Sequence, residues 1–252
     1  MNNALKHHNQ LARHGSQSDQ SNHTGDSVSS FRLFQLISPS LPIGGFTYSQ
    51  GLEWAVEAEW VNNQSSMVDW LTMMLNYSIV TLELPIMKRL YAAVADNDMS
   101  AIAHWSEYLY SCRETKELRA EELQRGKALY TLLKQLNFKS ISLLDEARQD
   151  TNHRSNSLLG FCLAAHEWGI PLHELERGYV WSWAENMVMA GVKLVPLGQT
   201  AGQLSLIELS NQFPQALLAA LDVQDDEIGS FTPSIAIASS RHETQYTRLF
   251  RS

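Results

Sequence analysis

The chain lacks most of the features from which a chemical activity is read. Its 252 residues include only two cysteines, Cys112 and Cys162, and neither stands in a C-x-x-C or other metal-ligand spacing. That excludes a zinc ribbon or a disulfide framework and leaves two thiols expected to be buried, in a reducing cytoplasmic compartment. No uninterrupted run of about 18 apolar residues occurs, so no membrane-spanning helix is expected. The first thirty residues, MNNALKHHNQLARHGSQSDQSNHTGDSVSS, contain no apolar segment of the kind a secretory signal needs. Positive charge is short as well: 19 lysines and arginines against 27 aspartates and glutamates give a net charge of -8. Such a balance offers no contiguous basic face to nucleic acid or to an anionic membrane.

Catalytic signatures are missing in the same way. His-Glu dipeptides begin at His166, His173 and His242. A zinc-protease helix needs a second histidine one turn on, so that two imidazoles face one ion. Those positions hold Ile170, Arg177 and Tyr246. The pair Gly126-Lys127 has Glu121 where a phosphate-cradling loop requires its first glycine, so the chain is not itself a P-loop hydrolase. No G-x-S-x-G elbow is present. Single helical carboxylates such as Glu53, Glu57 and Glu185 read most simply as solvated or ion-paired groups.

What the chain has is helical patterning. Residues 1–30 are rich in Asn, Gln, Ser and His and poor in large apolar side chains, so burial cannot offset their ordering entropy, and they are expected to be disordered. His7, His8, His14 and His23 lie there at irregular spacing, which favours a solvated extension over a metal store. From Phe31 onward apolar residues recur at three and four. The reading is one all-α domain over 31–252, of roughly nine or ten helices.

Helices are expected over Ser49–Val61, with Leu52, Ala55, Val56 and Trp60 inward, and after caps at Ser65 or Ser66. Others should open at Pro85 and run from Ser100 to Ser111, then over Ser155–Trp168, Leu172–Ala190, Gln199–Leu209 and Pro214–Leu221. The stretch RETKELRAEELQRGKALYTLLKQL turns from charged to apolar, and its charged half reads as a solvated helix face, partly relieved by the Glu121–Arg125 spacing. Residues 222–230 read as an acidic loop, followed by two short apolar pieces and a tail.

Two glycine-punctuated stretches stand out. In SPSLPIGGFTYSQGLEWAVE, Gly44 and Gly45 after two prolines force an irregular approach to a helix. In AGVKLVPLGQTAGQ, Pro196 biases Val195 away from helix and Gly198 permits an unusual backbone angle. Lys193 sits there among apolar neighbours, either as a snorkelling lysine or as a charge shown to a partner. The tail closes on RLFRS. Arginine and phenylalanine are interface anchors, so this peptide either docks on its own domain or is received by another protein.

Taken together, LPIGGFTYSQGLEWAVE (41–57), RETKELRAEELQRG (113–126), VKLVPLGQTAGQ (192–203) and RHETQYTRLFRS (241–252) closely resemble the UreF family of urease accessory proteins, in order over about residues 33–252. The resemblance implies a non-catalytic, all-α, homodimeric and cytoplasmic factor for nickel insertion. Such a factor joins the accessory protein UreD (also UreH) and recruits the nickel-carrying GTPase UreG to apo-urease. It holds no cofactor of its own and modulates the GTPase, for which an arginine or lysine offered in trans would suit the chemistry.

The family's UreD-binding tail falls on Tyr246, Arg248, Leu249, Phe250, Arg251 and Ser252. On that reading Phe250 fills a partner's pocket, Arg248 and Arg251 find acceptors there, and the peptide gains order only in company. Lys193 is the candidate GTPase contact, with Gly44, Gly45, Tyr48 and Glu53 on the partner-facing surface or along a metal passage. Two alternatives stand beside this: a small-molecule enzyme with a pocket around Glu53, Tyr48 and His242, and a nickel store built on the N-terminal histidines.

Overall fold

The computed structural model describes residues 28–142 and 156–252. Most of the polar extension, with His7, His8, His14 and His23, lies outside the described residues. Its last three positions belong to a helix over 28–37, here α1. The rest is helical without a strand among the described residues. The helices are α2 Leu52–Glu57, α3 Gln64–Met74, α4 Leu84–Asp96, α5 Met99–Ser111, α6 Lys116–Gln135 and α7 Ser157–Trp168, then α8 Leu172–Leu194, α9 Gln199–Ser210, α10 Phe213–Asp222 and α11 Pro233–His242. Two single 3-10 turns, Gly45–Thr47 and Asp225–Glu227, and a π-helical stretch, Leu75–Glu83, accompany them. No described helix is long and apolar enough to cross a membrane.

Helix ends follow local chemistry. Asn63 caps α3 in a reciprocal box with Ser66, so the serine expected to cap the helix sits three residues inside it. Asp98, not Ser100, caps α5. Gly169 stops α7 in the left-handed region and Pro171 precedes α8. α8 runs four residues past its expected end to Leu194, where Val195 turns extended before Pro196. Gly198 has φ -74°, an angle open to any residue, so the unusual backbone expected of it is not used. α2 stops at Glu57 because Glu59 takes φ +61°. Trp60 is thereby left outside the helix and largely exposed, edge-on to Trp54.

Pro85 does not open a new helix. It lies in a continuous rod over 64–96, preceded by the π-helical stretch Leu75–Glu83. Proline has no N–H to return to the carbonyl four residues back, which is that of Thr81. Gly229 N supplies the missing donor to Thr81 O at 3.0 Å, and Phe231 N bonds Tyr77 O at 3.0 Å. The loop after α10 thus caps the wall that the proline opens.

The core gathers around α7, buried from Ser157 through Ala165, as a helix apolar on all sides must be. It packs on α4, α6 and α8. A Cβ at Gly160 would come 2.5 Å from Leu129 Cδ2, so any larger residue would have to displace Leu129 from the contact between α6 and α7.

The charged half of α6 is solvated only in part: Lys116, Arg119 and Lys127 are exposed, but Glu121 is 4% and Glu122 5% exposed. Glu122, Gly126, Leu129 and Leu133 form one buried stripe at spacings of four, three and four, so the charge rides on the core-facing side. Arg113 bridges Glu83 at 2.7 Å and Glu122 at 2.9 Å, and Arg125 pairs with Glu121 at 3.0 Å. Glu122 also accepts from Ser157 N and Oγ. Burial alone would raise its carboxyl, yet Arg113, Arg125 and the Ser157 N–H outweigh that and hold it below the usual range.

Candidate functional site

The four motifs quoted above meet at one place. Gly44 takes φ +72° and turns the chain into Gly45–Thr47. Gly45 lies outside the left-handed region and rests against Asn186 of α8. Gly51 takes φ +85° at the start of α2, and a Cβ there would meet Ser239 N at 3.0 Å and Ala238 Cβ at 3.1 Å. That close approach seats α11 on α2 and brings His242, fully buried at the end of α11, over Glu53. His242 Nε2 lies 3.1 Å from a Glu53 oxygen and Nδ1 lies 2.7 Å from a Glu117 oxygen.

The tail closes the site. Leu249 N donates to Glu53 at 2.6 Å and Phe250 N at 2.8 Å. Arg248 pairs with the second oxygen of Glu117 at 3.0 Å. Arg251 N donates to Thr47 O at 2.8 Å, Ser49 N donates to Ser252 O at 2.7 Å, and Ser252 Oγ donates to Glu121 at 3.0 Å. Lys193, exposed in the last turn of α8, places its ammonium 5.8 Å from the centre of the Phe250 ring, within cation–π range. Tyr48 is buried beside the tail and donates to Gln124 at 2.9 Å; burial, then the nearby Glu121, push its phenol up.

Sequence candidates that lie far apart in the chain therefore share one site, but Phe250 does not point outward as expected. Phe250 is 6% exposed and Ser252 is fully buried, both against their own domain. The ring fills a local slot instead of pointing outward, and Arg248 finds its acceptor at home. The peptide is seated on its own domain, where two successive backbone N–H groups donate to the buried Glu53 carboxylate beside His242. Outward-facing are Tyr246, fully exposed, Leu249 at 66%, and Arg251.

The pocket expected around Glu53, Tyr48 and His242 does not form. Both Glu53 oxygens are engaged, His242 has no exposed surface, and Tyr48 turns to Gln124. Among the described residues no group of three His, Cys, Asp or Glu side chains is placed to hold a metal ion. Sequence reasoning missed α11, and with it the acceptor roles of Glu117 and Glu121. The signal was Pro233 after Thr232, with Ile235, Ala238, Ser239 and His242 at helical spacing.

Fold and site together define an all-helical scaffold whose built polar site receives a bent terminal peptide, here its own. The family model for UreF matches residues 61–210. Over 223 residues the chain is 50% identical to "Urease accessory protein UreF" of Alcanivorax borkumensis, covering 88% of this chain and 97% of that protein. Proteins of the same description from Citrobacter koseri and Alkalilimnicola ehrlichii are 45% and 44% identical, over 90% and 92% of this chain and 99% and 100% of theirs. The chain belongs to the UreF family.

Proposed function

We propose that this chain is a urease accessory protein that acts in maturation of the enzyme by binding other proteins, without turnover of its own. The reading rests on family membership together with the tail site, where Tyr246, Leu249 and Arg251 stand outward on a peptide anchored from beneath. In this reading a UreD (UreH)-like protein takes the outward side of residues 246–252. A UreG-like GTPase is recruited to the same complex, and nickel passes to apo-urease as cargo, not as a resident cofactor. Lys193 stands next to the seated Phe250, so a GTPase contact there would sit beside the UreD-like contact and could sense it. Gly44 and Gly45 shape the surface between the two, over the buried Tyr48. The working unit in this reading is a homodimer in the cytoplasm.

The test is co-purification of the full chain with its UreD-like and GTPase neighbours, intact and lacking residues 248–252. The expected result is loss of the UreD-like protein from the truncated chain, with helical circular dichroism retained. Retention of that partner by the truncated chain would place the contact elsewhere. Urease produced at limiting nickel without this chain is expected to emerge metal-poor, and full activity there would reject the maturation role. Lys193→Ala is expected to change GTP hydrolysis in the assembled complex and to leave the melting temperature nearly unaltered, since its ammonium is exposed.

A further inference from the structure

We propose that the apolar groove between α1 and α6 is a docking site for the chain's own N-terminus, with residues 1–12 seated there as a short amphipathic helix. The maturation reading makes no use of this face, and the UreF family model begins at residue 61, beyond both α1 and the extension.

α1 is apolar on two sides. Leu33 and Leu36 pack into the core, while Phe31 and Phe34, edge to face at 6.2 Å, stand 68% and 61% exposed. A helix apolar around most of its girth is normally covered, and contiguous exposed apolar surface marks a binding site. Phe34 lines a groove of about 410 Å³ together with Leu129, Leu132, Leu133 and Leu136 of α6 and Trp168 at the end of α7. Among the described residues no charged side chain lines it. Such a surface accepts an apolar stripe and rejects unpaired charge.

The first fifteen residues, MNNALKHHNQLARHG, carry a stripe of that kind. At about 100° per residue, Met1, Ala4, Leu5, His8, Leu11 and Ala12 share an arc of about 120°. Lys6, Arg13 and every Asn and Gln of the segment fall outside it. In a helix Leu5 and Leu11 stand about 9 Å apart along the axis, and Leu129 and Leu136 on α6 about 10.5 Å. The stripe therefore matches the apolar run of α6 in length. A helix this short is marginal by itself in water, and the segment has no core of its own to order on. The groove supplies one.

Residues 13–27 join the two. A polar chain of fifteen residues has a root-mean-square span of about 20 Å, and Val28 lies about 9 Å along α1 from Phe34. Such a tether holds the segment at an effective concentration on the order of millimolar. A contact too weak to join separate molecules at micromolar concentration is thus sufficient within one chain, which favours the chain's own segment over a second copy as the occupant.

The experiment is amide hydrogen exchange on the intact chain, read at residues 4–12 and at two protein concentrations an order of magnitude apart. These amides are expected to exchange at least about fivefold more slowly than in the free peptide MNNALKHHNQLARHG, to the same degree at both concentrations. Leu11→Asp, outside the helical body, is expected to return them to the free rate. Leu136→Asp and Phe34→Asp, at positions 44% and 61% exposed, are expected to do the same with α4 and α7 amides unchanged. Leu204→Asp, at an exposed position of α9, which packs chiefly on α8 and α3, is expected to leave the protection intact. Free-peptide rates in the native chain, protection that survives the groove variants, or equal loss in Leu204→Asp would overturn the docking site. Protection that grows with protein concentration would overturn the intrachain seat, since the segment would then be reaching a second copy.

Discussion

Glu122 and Glu176 are both buried carboxylates, and their surroundings drive them in opposite directions. Glu122 has two arginines and a backbone donor, so its charge is stabilising. Its contribution is present above the unfolded carboxylate value and is lost as pH falls through the depressed folded value. Glu176, on the face of α8 toward α4, has only the distant influence of Lys88 against its burial, and its carboxyl is pushed up to about 7 from 4.5. Here the folded chain binds the proton more tightly than the unfolded one. Stability therefore declines as pH rises from about 4.5 to about 7 and levels off above. Glu176→Gln keeps the shape and removes the titration. The variant is expected to melt higher than the native chain at pH 8 and to match it near pH 4. Equal melting temperatures at pH 8 would show that the carboxylate is solvated after all. The Glu121–Arg125 pair was legible from its spacing, but the burial of Glu122 and Glu176 was not, since both look like any charged positions on amphipathic helices. Burial of a charge depends on which partner arrives across the interface, and Arg113 and Glu83 lie 30 positions apart in the chain.

At the scale of elements, periodicity located nearly every helix, because apolar spacing is a local property. It failed where a long-range partner overrode a local rule. Pro85 breaks helices, but Gly229 supplies the lost donor and the rod continues. The segment after residue 230 reads in sequence as two short apolar pieces and a tail, yet α11 forms because α2 and α6 give it a surface. That surface exists only where Gly51 withholds a side chain. Gly51→Ala is expected to destabilise the chain twice over. An L-residue at φ +85° pays about 1–2 kcal/mol of backbone strain. Its methyl would also press on the backbone at Ser239, pushing α11 and His242 off Glu53. The expected readout is a lowered midpoint in urea with an unaltered slope, together with faster exchange of the tail amides. A variant with lowered stability but native tail protection would mean that α11 holds its place by other contacts. The motif around Gly51 was visible in the sequence, but its physical reason, the close approach of Ala238 and Ser239 on α11, was not.

For the molecule as a whole, the seated tail means that residues outside the helical body contribute to its stability. Phe250 is an apolar ring taken from water, with Lys193 over one face and Tyr48 in the neighbouring cleft. Truncating a buried phenylalanine removes about 3–5 kcal/mol in a core. In a domain of this size each kcal/mol shifts the melting temperature by about 2–4 °C. At the lower end of that range, Phe250→Ala is expected to lower Tm by about 6–12 °C in the isolated chain, with no partner present. Were Phe250 purely a partner plug, as the sequence alone suggested, the isolated variant would melt with the native chain and the whole penalty would appear in binding. The two accounts also separate in how the losses combine. If the ring is an anchor, Phe250→Ala and Glu53→Gln act on one seat, and the double variant should lose less stability than the sum of the singles. If the ring serves a partner, the two losses in the isolated chain are independent and add.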